Sequence, residues 1–287
     1  MVKKFSILII LISIYGQLLS QIINCNPDPN APPWILGPGN TIGDSLPPVI
    51  FSPEATSAID EVVDNSALIF FGEIFNQISN CCAQASGVTY TFAYEINRYK
   101  NENGDEDEHK YPPHYTYNYL DGGNDDGSAP THGWDIIEDN GCPCVLDWGL
   151  GFQQFYVWMD GFGNYENSIW NRINQTGGIS VSDWDDLGSL KTWIDNHNDP
   201  DAETGGLAVF CEYFDDDCCR TITNGPYQGQ EYIGEWDDPG GNEMVHCMTV
   251  VGYDDFVDFG NNSYNYGLGG FKIANSWGTG FGTNGFI

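Results

Sequence analysis

Helix-forming sequence comes first in this chain and strand-forming sequence last, and that order limits the possible folds more than any other feature. From Ala83 to Tyr99, the residues Val88, Phe92, Ile96 and Tyr99 recur at helical spacing and are expected to face a core, with Arg98 and Lys100 near the negative end of the helix dipole. The stretches GWDIIEDN (133–140) and LGSLKTWIDNH (187–197) read as further helices, each bounded by Gly, Asn or Pro. After about Gly205 the texture changes. LAVFCEYF, HCMTVVGY and GFKIANSW are short, aromatic or β-branched runs separated by Gly and Asn, which predicts strands. The expected class is α+β, with a helical lobe and a sheet lobe, and 287 residues suffice for one large domain or two lobes that share a core.

The first 20 residues hold a basic pair and then an apolar run from Phe5 to about Tyr15, the pattern of a secretory signal peptide and too short for a membrane span. The mature chain is therefore expected to be secreted, with no membrane contact after cleavage, in an oxidising compartment where disulfides persist. Residues 21–69 open with a Pro, Gly and Asn mixture and read as an N-terminal extension or short pro-segment, and residues 70–287 as the main domain. Nine cysteines leave at least one unpaired if every bond is internal, and a leftover thiol in a secreted chain is a candidate nucleophile. The remaining eight could then form four disulfides.

Acidic residues outnumber basic ones by 41 to 9, giving a net charge of −32. A surface this negative repels phosphate backbones and anionic headgroups, so nucleic acid is not an expected partner. Most of the acid reads as solvated loop. DGGNDDG (121–127) is the most calcium-like stretch but matches no full calcium pattern. No metal is expected, because Cys142-Pro143-Cys144 and Cys218-Cys219 lack the gaps that bring two sulfurs to one zinc ion.

A thiol becomes a good nucleophile when a helix N-terminus and a neighbouring imidazolium lower its pKa. Cys81 and Cys82 both stand at the start of the predicted helix. Of five histidines, His109, His114, His132 and His197 lie in polar or turn-like surroundings, whereas His246 opens an apolar strand. Asn275, in NSWG, offers an amide that can orient an imidazole, and Trp277 an indole that can shield that bond from water.

Three segments, in this order, resemble the papain-like cysteine peptidases: NQISNCCAQASG, HCMTVVGYDD and NSWGTGFGTNGFI. The resemblance implies a two-lobe fold, a central helix that begins with the nucleophile, and a barrel-like sheet lobe. It favours Cys82 as nucleophile, with Cys81 in place of the usual small residue before it. It makes Cys82 and His246 a thiolate and imidazolium pair, with Asn275 the amide that fixes the ring, and it makes Gln77, five residues before Cys82, an oxyanion donor. Gly122 and Gly123, about 40 residues after Cys82, are the implied contacts to the substrate backbone. Cys247 is either a wall of the pocket for the substrate residue two before the cut or half of a disulfide. Trp277 belongs to the leaving-group side. FVDFGNNSYNYG reads as a hairpin insertion, and Ile287 falls inside what the family builds as a strand, which suggests a C-terminal truncation.

The implied activity is that of a secreted, monomeric cysteine endopeptidase that acts on peptides or proteins through a thioester and needs no cofactor. The alternatives are an acyltransferase or amidase using the same Cys and His chemistry, and a catalytically silent binding module.

Overall fold

The central helix is buried along its length rather than along one face. In the computed structural model, which describes residues 7–13, 46–57, 59–122, 124–181, 184–214, 219–233, 244–260 and 268–287, every residue from Ala83 to Asn97 is buried. The helix runs as α1 (Cys82–Gln84), a wider π-type stretch (Ala85–Phe92) and α2 (Ala93–Lys100). A helix with no polar stripe is one that other elements surround. Tyr99, expected to face the core, is 58% exposed because the helix leaves the protein at Arg98. Asn101, in the left-handed region at φ 56°, ends it.

The helical lobe packs on one flank of this axis. It contains α3 (Pro113–Asp121), α4 (Pro130–Asn140), α5 (Val145–Trp148) and α6 (Phe162–Ser168). The predicted helix at 133–140 thus starts earlier, at Pro130, whose fixed φ and missing N–H suit a first turn. Val88, Phe92 and Ile96 meet Tyr111, Tyr115, Trp134 and Ile137 in its core. The Trp134 indole donates to the Gly87 carbonyl at 2.9 Å.

The sheet lobe lies on the other flank. It comprises a first strand β1 (Ile7–Ser13), β2 (Val62–Asp64), β3 (Gln175–Val181), α7 (Trp184–Asn196), β4 (Ala208–Phe214), β7 (Met244–Asp254) and β8 (Gly270–Ala274). A separate ribbon pairs β5 (Cys219–Thr221) with β6 (Glu231–Ile233). The main sheet has the order β2-β7-β4-β1-β3, all antiparallel, with β8 on the other edge of β7. A bulge between Val250 and Gly252 breaks the β7–β8 register. Gly252 lets β2 approach closely, since a Cβ there would lie 2.3 Å from the Val63 carbonyl oxygen.

The three strands and the helix at 187–197 read from the sequence are present as β4, β7, β8 and α7. The architecture is α+β with two lobes, and among the described residues the six-stranded sheet is open rather than a closed barrel. The apolar run read as a leader sits in the sheet as β1, between β3 and β4. The rest of the leader and the first half of the extension (14–45), and most of the hairpin insertion (261–267), lie outside the described residues. Among the described residues, no helix is long and apolar enough to cross a membrane. A third cluster joins the lobes through Phe75, Cys81, Ala85, Tyr90, Leu207, Val251 and Ala274. This cluster underlies the site.

Candidate active site

The adjacent cysteines have different environments. Cys81 is fully buried in the cluster between the lobes, and burial pushes its thiol up to about 12 despite a hydrogen bond with Ser79. Cys82, the first helical residue, is half-buried. Burial raises its thiol as well, but hydrogen bonds from the backbone at Cys247, Ala83 and Cys82 itself pull the other way. Two of these come from the helix N-terminus, where N–H groups lack partners in the helix. The third comes from the residue next to His246, so β7 and the helix start meet at the sulfur.

His246 and Asn275 are both buried, and His246 Nε2 lies 2.8 Å from Asn275 Oδ1. The same Oδ1 accepts the Ser276 backbone N–H at 2.7 Å. A backbone N–H requires an oxygen acceptor, which fixes the amide orientation. Nε2 must then carry the proton, and Nδ1 keeps the lone pair. Burial pushes His246 down to about 4, against the effect of Asn275. Trp277 stacks on the imidazole at 4.5 Å between centroids, 26° from parallel. The raised thiol and the lowered imidazole both favour the uncharged form of each group at its buried position.

Gln77 is held by the segment just beyond β8 that carries Asn275. Its N–H donates to the Ser276 carbonyl at 2.8 Å, and its Oε1 accepts the Ser276 hydroxyl. Gln77 Nε2 donates one proton to the Ser79 carbonyl at 2.8 Å. An amide nitrogen carries two protons, so one donor is left over. Tyr90 ties the pieces together from the central helix. Its hydroxyl donates to the Asn275 carbonyl and accepts the Phe75 N–H, both at 2.8 Å.

The structure therefore links Gln77, His246, Asn275 and Trp277 through the 275–277 segment, and brings Cys82 to the Cys247 backbone, next to His246. Gly122 closes α3 in the left-handed region, where a Cβ would meet nothing within 4 Å, and Gly123 lies outside the described residues. The chain beside the helix start is 125–129. Asp125 accepts the Asn80 N–H at 2.7 Å, and Gln84 Nε2 donates to Ser128 Oγ at 3.0 Å and to the Ala129 carbonyl at 2.8 Å. Asp121 accepts the N–H groups of Asp125 and Asp126, each at 2.7 Å, so this acidic loop is folded by its own hydrogen bonds.

Cys247 forms a disulfide with Cys211, directly opposite it on β4. Of the four disulfides the cysteine count allows, this is the one found among the described residues. Cys81, Cys82, Cys142 and Cys144 are free thiols. Two groups were not visible as site residues in the sequence. His114, grouped with the polar histidines, is fully buried on α3 with Nε2 3.1 Å from Ser79 Oγ. Tyr90 gave no signal beyond its place in the helix.

No family model matches the sequence, and no curated protein matches it. Solved structures do. Xylellain, a cysteine protease from Xylella fastidiosa, superposes with a TM-score of 0.57 at 14% identity over 86% of each chain. Procathepsin B S9 from Trypanosoma congolense gives 0.53 at 14% identity, over 85% of this chain and 76% of its own. The digestive procathepsin L 3 of the Tenebrio molitor larval midgut gives 0.53 at 15%, over 85% and 68%. At such identities the likeness concerns the fold: the chain has the two-lobe fold of the papain-like cysteine proteases.

Proposed function

We propose that this chain is a secreted cysteine endopeptidase with Cys82 as nucleophile, His246 as base and Asn275 as the amide that orients the imidazole. The observation that carries this reading is the His246 Nε2 to Asn275 Oδ1 hydrogen bond, beside a cysteine that begins a helix. With Nε2 bound to Asn275, Nδ1 takes the thiol proton as sulfur attacks the scissile carbonyl. The oxyanion is stabilised by the Cys82 N–H and the second proton on Gln77 Nε2. Losing one such donor typically costs about 2.7–4 kcal/mol of transition-state stabilisation. His246 then protonates the leaving amine, water enters, and the thioester is resolved. Trp277 keeps water from the His246–Asn275 bond. The loop that Gly122 opens and that runs on to Ala129 forms the wall against which an extended substrate lies. Disulfide-bonded Cys247 contributes backbone there rather than a thiol.

The test is iodoacetamide labelling of the non-reduced protein followed by peptide mass spectrometry, with and without His246→Ala, alongside hydrolysis of a peptide library. Fast labelling of Cys82 that falls at least 10-fold in His246→Ala, together with peptide cleavage lost in Cys82→Ala, is expected. If Cys82 does not react while Cys81 does, the nucleophile assignment is wrong and a silent binding module becomes the better reading.

A further inference from the structure

Gln77 can serve as an oxyanion donor only if the irregular segment that carries it keeps its shape during acylation. Residues 76–80 belong to no helix or strand, and Ile78 is 65% exposed. One side chain of the helical lobe grips this segment on both sides of Gln77. Gln153 Oε1 accepts the Ile78 N–H at 3.0 Å, and Gln153 Nε2 donates to the Asn76 carbonyl at 2.6 Å. The two ends of one planar amide thus bracket the backbone of Gln77, as a neighbouring strand would.

The segment that presents Gln153 is itself constrained. Phe152 packs edge-on against Phe75, with 5.1 Å between centroids. Phe155 packs against His114 and Tyr117. Buried Asn118 on α3 donates to the carbonyls of Gln154 and Val157 at 2.8 and 2.7 Å and accepts the Tyr156 N–H at 3.2 Å. These bonds hold Tyr156 at φ 61°, a conformation that costs a non-glycine residue free energy and persists only where neighbours impose it.

We infer that Gln153 is a positioning residue for the oxyanion site, holding the backbone at 76–78 so that Gln77 Nε2 keeps its aim as charge develops on the substrate oxygen. The inference rests on the peptidase reading above. It also separates two chemistries at the same sulfur. Acylation builds an oxyanion and needs Gln77, whereas displacement of iodide from iodoacetamide builds none.

The test compares Gln153→Ala and Gln153→Met, the second retaining bulk without the hydrogen bonds, with wild type on a peptide amide substrate and on iodoacetamide. We expect kcat to fall about 10-fold or more in both variants, in line with partial loss of one oxyanion donor. KM should change less than threefold and the Cys82 alkylation rate less than twofold. A kcat within twofold of wild type in either variant would overturn the inference, and so would alkylation and kcat falling together, which would mean general loosening around the helix. Wild-type protein that alkylates at Cys82 yet forms no acyl-enzyme would instead overturn the peptidase reading, and this inference with it.

Discussion

A single position separates a core residue from a candidate nucleophile at the start of the central helix. Cys81 points its sulfur into the cluster between the lobes, where a thiolate would be unsolvated, and its thiol is pushed up to about 12. At pH 8 it should therefore be inert towards alkylating reagents. Cys81→Ala should keep kcat within threefold of wild type and lose about 1 kcal/mol of stability to a small cavity. Urea unfolding and peptide hydrolysis check the two halves separately. A variant that folds normally but loses turnover would assign chemistry to Cys81 after all. The sequence alone could not decide between the two thiols, since both stand at the helix start, and the resemblance to a peptidase motif chose Cys82. Burial, which separates them physically, depends on how the lobes pack.

The central helix is also where local sequence reading reaches its limit. Its existence, its start and three of its four apolar contacts were legible, because Val88, Phe92 and Ile96 follow helical spacing and are buried. What periodicity could not show is that the helix has no outer face, or that Glu95 is buried at 2% exposure. Glu95 meets His197 Nε2 at 3.1 Å, Arg98 Nε at 3.4 Å and the Leu207 N–H at 3.2 Å. Burial alone would raise its carboxyl, but His197, Arg98 and the Leu207 N–H outweigh it and hold the carboxyl below its usual value. His197 and Leu207 lie about 100 residues away in sequence, so no local pattern announces the pairing. Removing one member of such a buried group leaves uncompensated charge and typically costs about 3–5 kcal/mol. Glu95→Ala should therefore lower the urea midpoint far more than Glu106→Ala in the exposed turn beyond the helix. Equal midpoints would show that the buried group contributes nothing net. The loop after α3 shows the same limit: residues 125–129 lie beside the helix start because α3 ends at Asp121 and the acidic loop folds back on it.

At the scale of the whole molecule, the two lobes bury two imidazoles that stay neutral, and this sets how the protein responds to acid. His114, between Ser79, Tyr117 and Phe155, is pushed down to about 4 by burial, only partly offset by the charge of Asp125. His246 is likewise pushed down to about 4. In the unfolded chain both titrate near about 6.5. A histidine whose folded pKa is depressed leaves stability unchanged above the unfolded value. Below it, the unfolded chain takes up protons that the folded protein refuses, and stability falls until the folded pKa is reached. The window therefore runs from about pH 6.5 down to about pH 4, and each imidazole contributes a loss of up to about 3 kcal/mol. Glu95 has the same sign of dependence in a lower window. Its carboxyl is held below the usual value, so its contribution is lost only as pH falls below the unfolded carboxyl value of about 4.3. Asp135, Glu138 and Asp195, all raised by burial, favour the folded state as pH falls, but they are common to wild type and a histidine variant and cancel in the difference. His114→Gln keeps a polar group opposite Ser79 and removes the titration. From urea unfolding at pH 7, 5.5 and 4, wild type should lose more stability than His114→Gln, the gap opening below pH 6.5 and reaching about 2–3 kcal/mol at pH 4. Parallel stability curves for the two proteins would mean that His114 already titrates normally in the folded state, and that α3 does not seal the loop carrying Gln77 from water.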